Sequence, residues 1–597
     1  MATPKERLAE SLDVLKALQE GGKRVFRSDE LSRVHRERLV ANGFLQGVMK
    51  GWLISSGPSA RPGDSTPWYA SFWEFCARYC NERFGDEWHL CAEQSLWLHG
   101  ERTVIPEQAV VCSPKGTNHA IRLLFNTSLY DLKVPTMPAS NELVTKEGMR
   151  LFSPVAALVR VAESFFSRNP VETQAVLASL GNASDLLRLL LNGGHSAKAG
   201  YLAGAFRQTG RSALADEILG AMKSAGYDVR ESNPFEAEQV FGRPRGAVAP
   251  IVGRIQMLWE STRGIIIETF PKPPGLPEDT GAYLRHVDEI YESDAYHSLS
   301  IEGYSVTPEV IEKVRHGNWS PERDDDDRKS RDALAARGYW QAFQLVKTSL
   351  QKVIAGENPG TVARAAHKEW YRQLFQPCVT AGLIEPGALA GYRNIPVYLR
   401  TSRYVPPRWE AAREAMPVLF DQLEQETDPG VRAVLGHWLF GYIHPYPDGN
   451  GRLARFLMNV MLASGGYPWT VIRVEDRNTY LSALDRASID LNIKPFSAFV
   501  AQRVRRSLER RHLRFPAPEE SYSVDMKVVS FWGQDGETRV RCAISNEALD
   551  DYFHGDKRDK LEVFRANRQA IQGIARQKYL AGQMEPDGSV LIRALEL

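Results

Sequence analysis

Apolar residues at helical spacing mark two neighbouring segments of the chain. Between residues 430 and 443 they recur every three or four positions, which predicts a helix facing a core. The pattern resumes from Phe456 to Met461, and Gly465 and Gly466 end this second predicted helix. The segment between them, His444–Arg455, is polar and rich in glycine. It brings a turn to a helix N-terminus, where unpaired N–H groups favour an anion such as phosphate.

Two side chains of this segment fit phosphate chemistry. His444 follows the first helix and is the residue here that titrates near neutrality, so we predict that it is a general base. Asp448 is a hard oxygen ligand of the kind that Mg²⁺ uses when it bridges phosphates. The simpler alternative, a solvated turn between helices, does not account for a base and a metal ligand in one run.

The remaining polar residues of the segment predict a binding site for phosphates. Gly449 and Gly451 let the backbone approach an anion closely, and Asn450 adds a side-chain donor. Arg452 and Arg455 are three positions apart, so both lie on one helix face with forked donors for the outer phosphates of a nucleotide.

The segment resembles the signature of the Fic family, His-x-Phe-x-Asp/Glu-Gly-Asn-Gly-Arg-x-x-Arg, and departs from it only at Tyr446, which keeps the aromatic ring. The resemblance covers about residues 250 to 510. It implies transfer of AMP from ATP to a Ser, Thr or Tyr hydroxyl of a target protein or of the protein itself. By the same resemblance, His444 deprotonates the hydroxyl and Asp448 holds Mg²⁺, while Gly449–Gly451 and the two arginines bind the phosphates.

A second motif, Ser298-Leu299-Ser300-Ile301-Glu302-Gly303, lies upstream of the first. It resembles the inhibitory-helix motif of Fic proteins, in which a glutamate pairs with the second arginine of the signature. For this chain the resemblance implies that Glu302 pairs with Arg455. Such a carboxylate would occupy the guanidinium that a γ-phosphate needs and would repel the nucleotide.

The stretch Gly391–Leu399 predicts a short extended hairpin. Fic proteins carry a flap at this place, whose edge pairs with the backbone of the target. The resemblance implies that Ile395, Val397 and Tyr398 belong to this docking flap. Because backbone pairing depends little on sequence, the flap does not identify the target.

Residues 1–60 predict two helices followed by a hairpin, which is the outline of a winged helix and resembles the N-terminal domain of AbiEi-type antitoxins. Between Lys23 and Lys50 seven basic residues face three acidic ones. Arg33, Arg36 and Arg38 fall where a recognition helix would contact DNA. A solvated helix in a protein-docking domain is the alternative.

The other regions predict structure more than chemistry. Residues 61–245 predict an α/β and helical region similar to the rest of AbiEi-like antitoxins, and residues 517–597 predict a small α+β domain of unknown role. A weak zinc interpretation exists for Cys76, Cys80, His89 and Cys91.

Length and composition bound the class of protein. A chain of 597 residues with a net charge of +1 suggests several globular domains and does not suggest a protein that coats nucleic acid. The six dispersed cysteines suggest reduced thiols, and no apolar run reaches membrane-spanning length. We therefore expect a cytoplasmic protein without a membrane partner; a homodimer stays open.

The sequence as a whole predicts a multidomain, mainly α protein. A winged helix and an α/β and helical region (1–60 and 61–245) precede an all-α Fic core with a β-hairpin flap (246–510) and an α+β domain (517–597). We predict an autoinhibited protein adenylyltransferase that uses ATP and Mg²⁺. Two alternatives remain: an enzyme that also removes AMP with the help of Glu302, and a DNA-binding toxin–antitoxin regulator with a nucleotide-sensing core.

Overall fold

A computed structural model describes residues 3–58, 63–235, 247–315, 331–508, 513, 515–516, 518–535, 538–580 and 583–594. The chain divides into two compact units, Met1–Ala501 and Gln502–Leu597. The predicted boundaries at 60/61, 245/246 and 510/517 fall on residues outside the described ranges, so the division into four domains stays a prediction.

Helices make up most of the first unit. In chain order the described helices are α1 Pro4–Leu18, α2 Arg33–Ala41, α3 Thr66–Phe84, α4 Ala92–His99, α5 Pro154–Arg160, α6 Glu163–Arg168, α7 Pro170–Ser179, α8 Ser184–Asn192, α9 Ser196–Gln208, α10 Ser212–Ser224, α11 Pro250–Thr269, α12 Thr280–Ile301, α13 Pro308–Arg315, α14 Arg331–Ile354, α15 Pro359–Thr380, α16 Trp409–Gln425, α17 Pro429–Ile443, α18 Asn450–Ala463, α19 Arg477–Ile489, α20 Lys494–Leu508, α21 Asn546–Phe553, α22 Lys560–Ala566 and α23 Arg568–Leu580.

The strands form small separate sheets. They are β1 Val25–Arg27, β2 Leu45–Met49, β3 Trp52–Ser55, β4 His89–Leu90, β5 Gln108–Ser113, β6 His119–Arg122, β7 Ser128–Lys133, β8 Leu143–Lys146, β9 Met149–Phe152, β10 Glu520–Ser523, β11 Val528–Asp535, β12 Thr538–Ser545 and β13 Val590–Ile592. The sheet orders are β1-β3-β2, β4-β5-β7-β6, β8-β9 and β10-β11-β12-β13.

Residues 3–58 contain the two predicted helices and the predicted hairpin, which is formed by β2 and β3. The sequence did not predict β1, which pairs with β3. Arg36 and Arg38 donate hydrogen bonds to carbonyls of this same region, Ser28 and Arg7. Arg33 pairs with Glu37 in the next turn of α2. The predicted contact with DNA is thus carried by arginines that already have partners, and it stays a prediction.

The predicted helices on both sides of the polar segment are confirmed as α17 and α18. At the start of α17, Oδ1 of Asp428 accepts a hydrogen bond from the N–H of Val431 at 2.8 Å, and Pro429 occupies the first turn. Gly449, in the left-handed region at φ 82°, comes directly before α18. Nearly all side chains of both helices are buried, so the polar turn between them is fixed at both ends.

The predicted β-hairpin flap is wrong as secondary structure: residues 390–407 contain no strand. The physical reason is Arg393, which is 2% exposed and takes main-chain carbonyls that strand pairing would need. Its side chain donates to the carbonyls of Ile395 and Pro407, and Pro396 and Pro406 bring no N–H donor to the segment. The segment is therefore an irregular loop held by one buried guanidinium.

The second unit, Gln502–Leu597, contains the end of α20, a four-stranded sheet and three short helices in its described part. β10, β11 and β12 are antiparallel neighbours, and β13 pairs parallel to β12. Asn567 forms a break between two consecutive helices, α22 and α23. Glu520 at the sheet edge pairs with Arg565 and Arg568 on either side of that break.

Candidate active site

His444 lies at the C-terminus of α17 with a left-handed backbone, φ 52° and ψ 60°. A non-glycine residue pays about 1–2 kcal/mol for this conformation. It turns the chain out of the helix, while the His444 N–H still donates to the Phe440 carbonyl at 2.9 Å. This conformation ends the helix at His444 and places the residue directly before the loop that follows.

The imidazole of His444 is set up as a base. Nδ1 lies 3.2 Å from the Gly441 carbonyl, and because a carbonyl can only accept, Nδ1 carries the proton and Nε2 keeps its lone pair. Burial lowers the pKa of His444 to about 4. The ring is thus neutral, and able to take a proton, throughout the physiological range.

The loop after His444 is shaped by Tyr446 and Asn450. The Tyr446 ring stacks on Tyr371 of α15, with centroids 3.9 Å apart. Asn450 is buried, and its amide accepts from the Tyr446 N–H at 3.0 Å and donates to the Tyr446 carbonyl at 2.8 Å. The Asn450 amide thus closes the loop on itself between the two glycines, and its predicted use as a phosphate donor stays a prediction.

The two glycines lie where no larger side chain fits. A Cβ at Gly449 would be 2.8 Å from the Phe375 ring, and its positive φ is also strained for other residues. A Cβ at Gly451 would be 2.3 Å from Oε1 of Glu302. The space in front of Gly451 at the N-terminus of α18 is therefore an anion site, and a carboxylate of the same chain lies in it.

Arg452 and Arg455 line this space, and both are buried. The Arg452 guanidinium lies between the rings of Phe375 and Tyr304, at 5.0 and 5.3 Å from their centroids. In the described part of the chain, Nε and Nη2 of Arg452 and Nη1 of Arg455 have no hydrogen-bond partner. Buried guanidinium N–H groups without acceptors are costly unless a ligand satisfies them, so these donors suit phosphate oxygens.

Glu302 caps the C-terminus of α12 and contacts Arg455. Its Oε1 accepts from Nη2 of Arg455 at 2.7 Å, and Ser298 on the same helix accepts from the same guanidinium through Oγ and its carbonyl. Burial would raise the pKa of Glu302, but the charges of Arg455 and Arg452 outweigh it and lower the pKa. The carboxylate is therefore ionised when it occupies the anion site.

Asp448 is exposed at the mouth of this site. Its Oδ1 accepts from the Gly449 N–H at 2.6 Å, and Oδ2 lies 3.5 Å from Nη2 of Arg452. The described residues contain no group of three or more His, Cys, Asp or Glu that could hold a metal ion. A single exposed carboxylate beside a phosphate site nevertheless fits Mg²⁺, which is usually bound by one or two carboxylates and the phosphates of its nucleotide.

The residues predicted for target docking lie on the irregular loop. Ile395 is 52% exposed, whereas Val397 and Tyr398 are half-buried. The guanidinium of Arg24, from the N-terminal region, lies 4.7 Å from the centre of the Tyr398 ring. A cavity of about 820 Å³ borders Val397 and Tyr398. The N-terminal region thus forms part of the surroundings of the predicted docking segment, which the sequence did not indicate.

Two other expectations were open to test. The zinc interpretation is wrong, because Cys76, Cys80, His89 and Cys91 do not come together as a metal-binding group. Burial raises the pKa of Cys76, Cys80 and Cys91, which keeps their thiols protonated. Among the described residues, no helix has the length and apolar character needed to cross a membrane.

Comparison with known proteins agrees with this site. A family model described as Fic/DOC family matches residues 362–462, a range that contains all of His444–Arg455. A second model, Protein of unknown function (DUF1488), matches residues 513–592 in the second unit. Residues 362–462 are therefore similar to the Fic/DOC family, in agreement with the motif, and the remaining segments lie outside that match.

Curated relatives carry one activity in their names. Protein adenylyltransferase Fic of Nematostella vectensis is 27% identical over 283 residues, which are 47% of this chain and 61% of the relative. Protein adenylyltransferase fic-1 of Caenorhabditis elegans is 32% identical over 133 residues, 22% of this chain and 26% of the relative. The solved structure Fic-1 (aa134 - 508) from C. elegans is 19% identical with a TM-score of 0.32, covering 55% of this chain and 91% of that one. This chain thus spans at most about three fifths of the curated relatives named here.

Proposed function

We propose that the protein is an adenylyltransferase that moves AMP from ATP to a hydroxyl of a target protein or of itself. One observation carries the proposal: buried arginine N–H groups that have no hydrogen-bond partner among the described residues, a glycine-lined helix N-terminus and a neutral histidine lie around one space. Phosphate oxygens satisfy the donors, and the imidazole supplies the base. The names of the matched relatives support the same reaction.

The proposed reaction is an in-line displacement at the α-phosphorus of ATP. Nε2 of His444 takes the proton of the target hydroxyl as its oxygen bonds to phosphorus. The bond from phosphorus to the bridging oxygen breaks, pyrophosphate leaves, and AMP remains as an ester. Such base catalysis contributes roughly 10²–10⁴-fold, and positioning by Arg452, Arg455 and the amides after Gly449 contributes the rest. Asp448 would hold Mg²⁺, which neutralises charge on the phosphates.

The proposed resting state is inhibited by Glu302. An ionised carboxylate bonded to Arg455 competes with a γ-phosphate for the same guanidinium. If docking of this carboxylate biases the site by about 2.7 kcal/mol, productive ATP binding falls roughly a hundredfold. Release of Glu302 from Arg455 would then activate the enzyme.

A labelled-nucleotide experiment tests the function and the inhibition together. Wild type, Glu302→Gly and the double variant with His444→Ala are incubated with Mg²⁺ and ATP labelled at the α-phosphate, and the protein is weighed by mass spectrometry. We expect an added AMP mass that is more than tenfold more frequent in Glu302→Gly and absent from the double variant, although ATP still binds to it.

Three results would contradict parts of this proposal. Transfer that survives His444→Ala would remove the base, and equal transfer with and without Glu302 would remove the inhibition. Release of AMP from a modified target by the wild type, lost in Glu302→Gly, would instead favour the enzyme that removes AMP.

A further inference from the structure

Arg393 connects the docking segment to the catalytic histidine through main-chain carbonyls. Its Nε donates to the His444 carbonyl at 2.7 Å, and its backbone N–H donates to the Pro445 carbonyl at 2.8 Å. Nη1 donates to the Ile395 carbonyl at 3.0 Å, and Nη2 donates to the Pro407 carbonyl. Arg393 thus holds both residues after α17, His444 through its side chain and Pro445 through its backbone N–H, and its side chain also holds two carbonyls of the irregular loop.

The surroundings of Arg393 are unusual for a purely structural arginine. The side chain is 2% exposed, and the bonds of its guanidinium go to carbonyls and not to a carboxylate. Burial accordingly lowers the pKa of Arg393 to about 10. A buried charge without an ionised partner is expensive, so retaining it there suggests a task that an apolar residue could not perform.

The task suggested by the geometry concerns the backbone of His444. The left-handed conformation of His444 is strained, and it persists only if surrounding contacts hold it. Arg393 holds the carbonyl of His444 itself and the carbonyl of the next residue. The direction of the imidazole depends on this conformation, because the ring is attached to the same Cα.

We propose that Arg393 is a positioning residue that fixes the orientation of the His444 imidazole and aligns it with the segment that receives the target hydroxyl. The proposal rests on the proposed transfer of AMP, because it assigns His444 as the base. Arg393 does not touch the reacting atoms; it acts through His444 and through the carbonyls of Ile395 and Pro407.

The test compares Arg393→Lys with Arg263→Lys, both in the Glu302→Gly background. Lysine keeps the charge, but its three donors share one nitrogen and cannot reproduce the planar fork whose Nε, Nη1 and Nη2 reach three separate carbonyls. Arg263 is a matched control, since it makes a two-bond pair with Glu426 in the same unit and is remote from the motif in sequence. We expect Arg393→Lys to lower the rate of AMP transfer at saturating ATP at least tenfold with ATP affinity within twofold of its parent, and Arg263→Lys to leave both unchanged.

A second measurement does not depend on activity. In protein with ¹³C,¹⁵N-labelled histidine, the His444 imidazole resonances are assigned by their loss in His444→Ala. We expect these resonances to shift in Arg393→Lys and to stay in place in Arg263→Lys. An unchanged rate together with unmoved resonances would overturn the proposal. If no variant transfers AMP, the proposed function fails, and the resonances alone still decide whether Arg393 positions His444.

A further variant guards against misfolding. Arg393→Gln removes the charge but keeps a planar pair of donors, and thermal melting monitors its fold. Loss of folding in both the Lys and the Gln variant would overturn a role confined to positioning and make Arg393 a structural staple.

Discussion

At the scale of single residues, the backbone of His444 is strained and its imidazole stays neutral far below pH 7. Burial lowers its pKa to about 4, and the charge of Arg393 acts in the same direction. The negative charge of Glu302 acts in the opposite direction, so releasing Glu302 lowers the pKa further. The proposed base therefore stays ready whether or not the site is inhibited.

The pKa of His444 predicts a flat pH profile. The base works when deprotonated, and with a pKa near 4 it is more than nine-tenths deprotonated above about pH 5. We expect kcat/KM for AMP transfer by Glu302→Gly to vary by less than about twofold between pH 5.5 and 8. The measurement is the initial rate of label incorporation at low ATP across this range. If the rate instead falls by half when the pH is lowered from 7 to 6, His444 titrates like a solvated histidine.

Many residues of the candidate site could be predicted from the sequence, and the others could not be for a physical reason. His444, Asp448, the glycines and both arginines form one run, so their chemistry could be inferred together. Tyr304, Phe375 and Arg393 are distant in sequence and join the site only through packing. Asn450 belongs to the run, yet its use within the loop could not be inferred without the position of the Tyr446 backbone.

At the scale of elements, the proposed phosphate-binding site lies at the N-terminus of α18. Gly449 allows the turn before the helix, and Gly451 leaves space in the first turn. The hairpin predicted for Gly391–Leu399 does not form. The residue pattern of this segment does not reveal that the Arg393 side chain binds main-chain carbonyls in and around it. The prediction of the helices α17 and α18 was correct, because the apolar residues that pack into the core recur at helical spacing in the sequence.

The open space at Gly451 predicts the effect of a single methyl group. In the Glu302→Gly background, Gly451→Ala should lower ATP affinity at least tenfold without lowering the melting temperature, because Ala is favoured in helices and its Cβ occupies the anion site. Gly264→Ala in α11 is the control, since its Cβ meets nothing within 4 Å. Calorimetric titration with ATP measures the affinity, and an unchanged value in Gly451→Ala would mean that phosphates bind elsewhere.

At the scale of the whole first unit, a buried ion pair joins α7 to α11, and α11 packs beside the helix that ends at His444. Glu172 of α7 and Arg254 of α11 are both 1% exposed, with Oε1 of Glu172 and Nη1 of Arg254 3.1 Å apart. Nε of Arg254 donates to the hydroxyl of Tyr442 at 2.7 Å, two residues before His444. This pair could not be inferred from the sequence, because its members are separated by 82 positions.

This pair predicts a large loss of stability when one partner is removed. Glu172→Ala leaves the Arg254 charge buried and should cost about 3–5 kcal/mol, whereas the double change Glu172→Leu with Arg254→Met should recover most of that loss. Urea unfolding of the full chain, followed by tryptophan fluorescence, gives the comparison. If Glu172→Ala unfolds at the wild-type urea concentration, the Arg254 charge is solvated and the two helices are not joined by it.

The Glu172–Arg254 pair also limits how chains of this kind can exchange parts. A recombination point anywhere between residues 173 and 253 separates Glu172 from Arg254. A chimera that inherits Arg254 without Glu172 carries a buried cation that has lost its carboxylate, next to Tyr442 of α17. An N-terminal region can therefore be replaced by that of another lineage only when the donor brings a carboxylate to the same place, so inheritance of the two halves is coupled by one hydrogen-bonded contact.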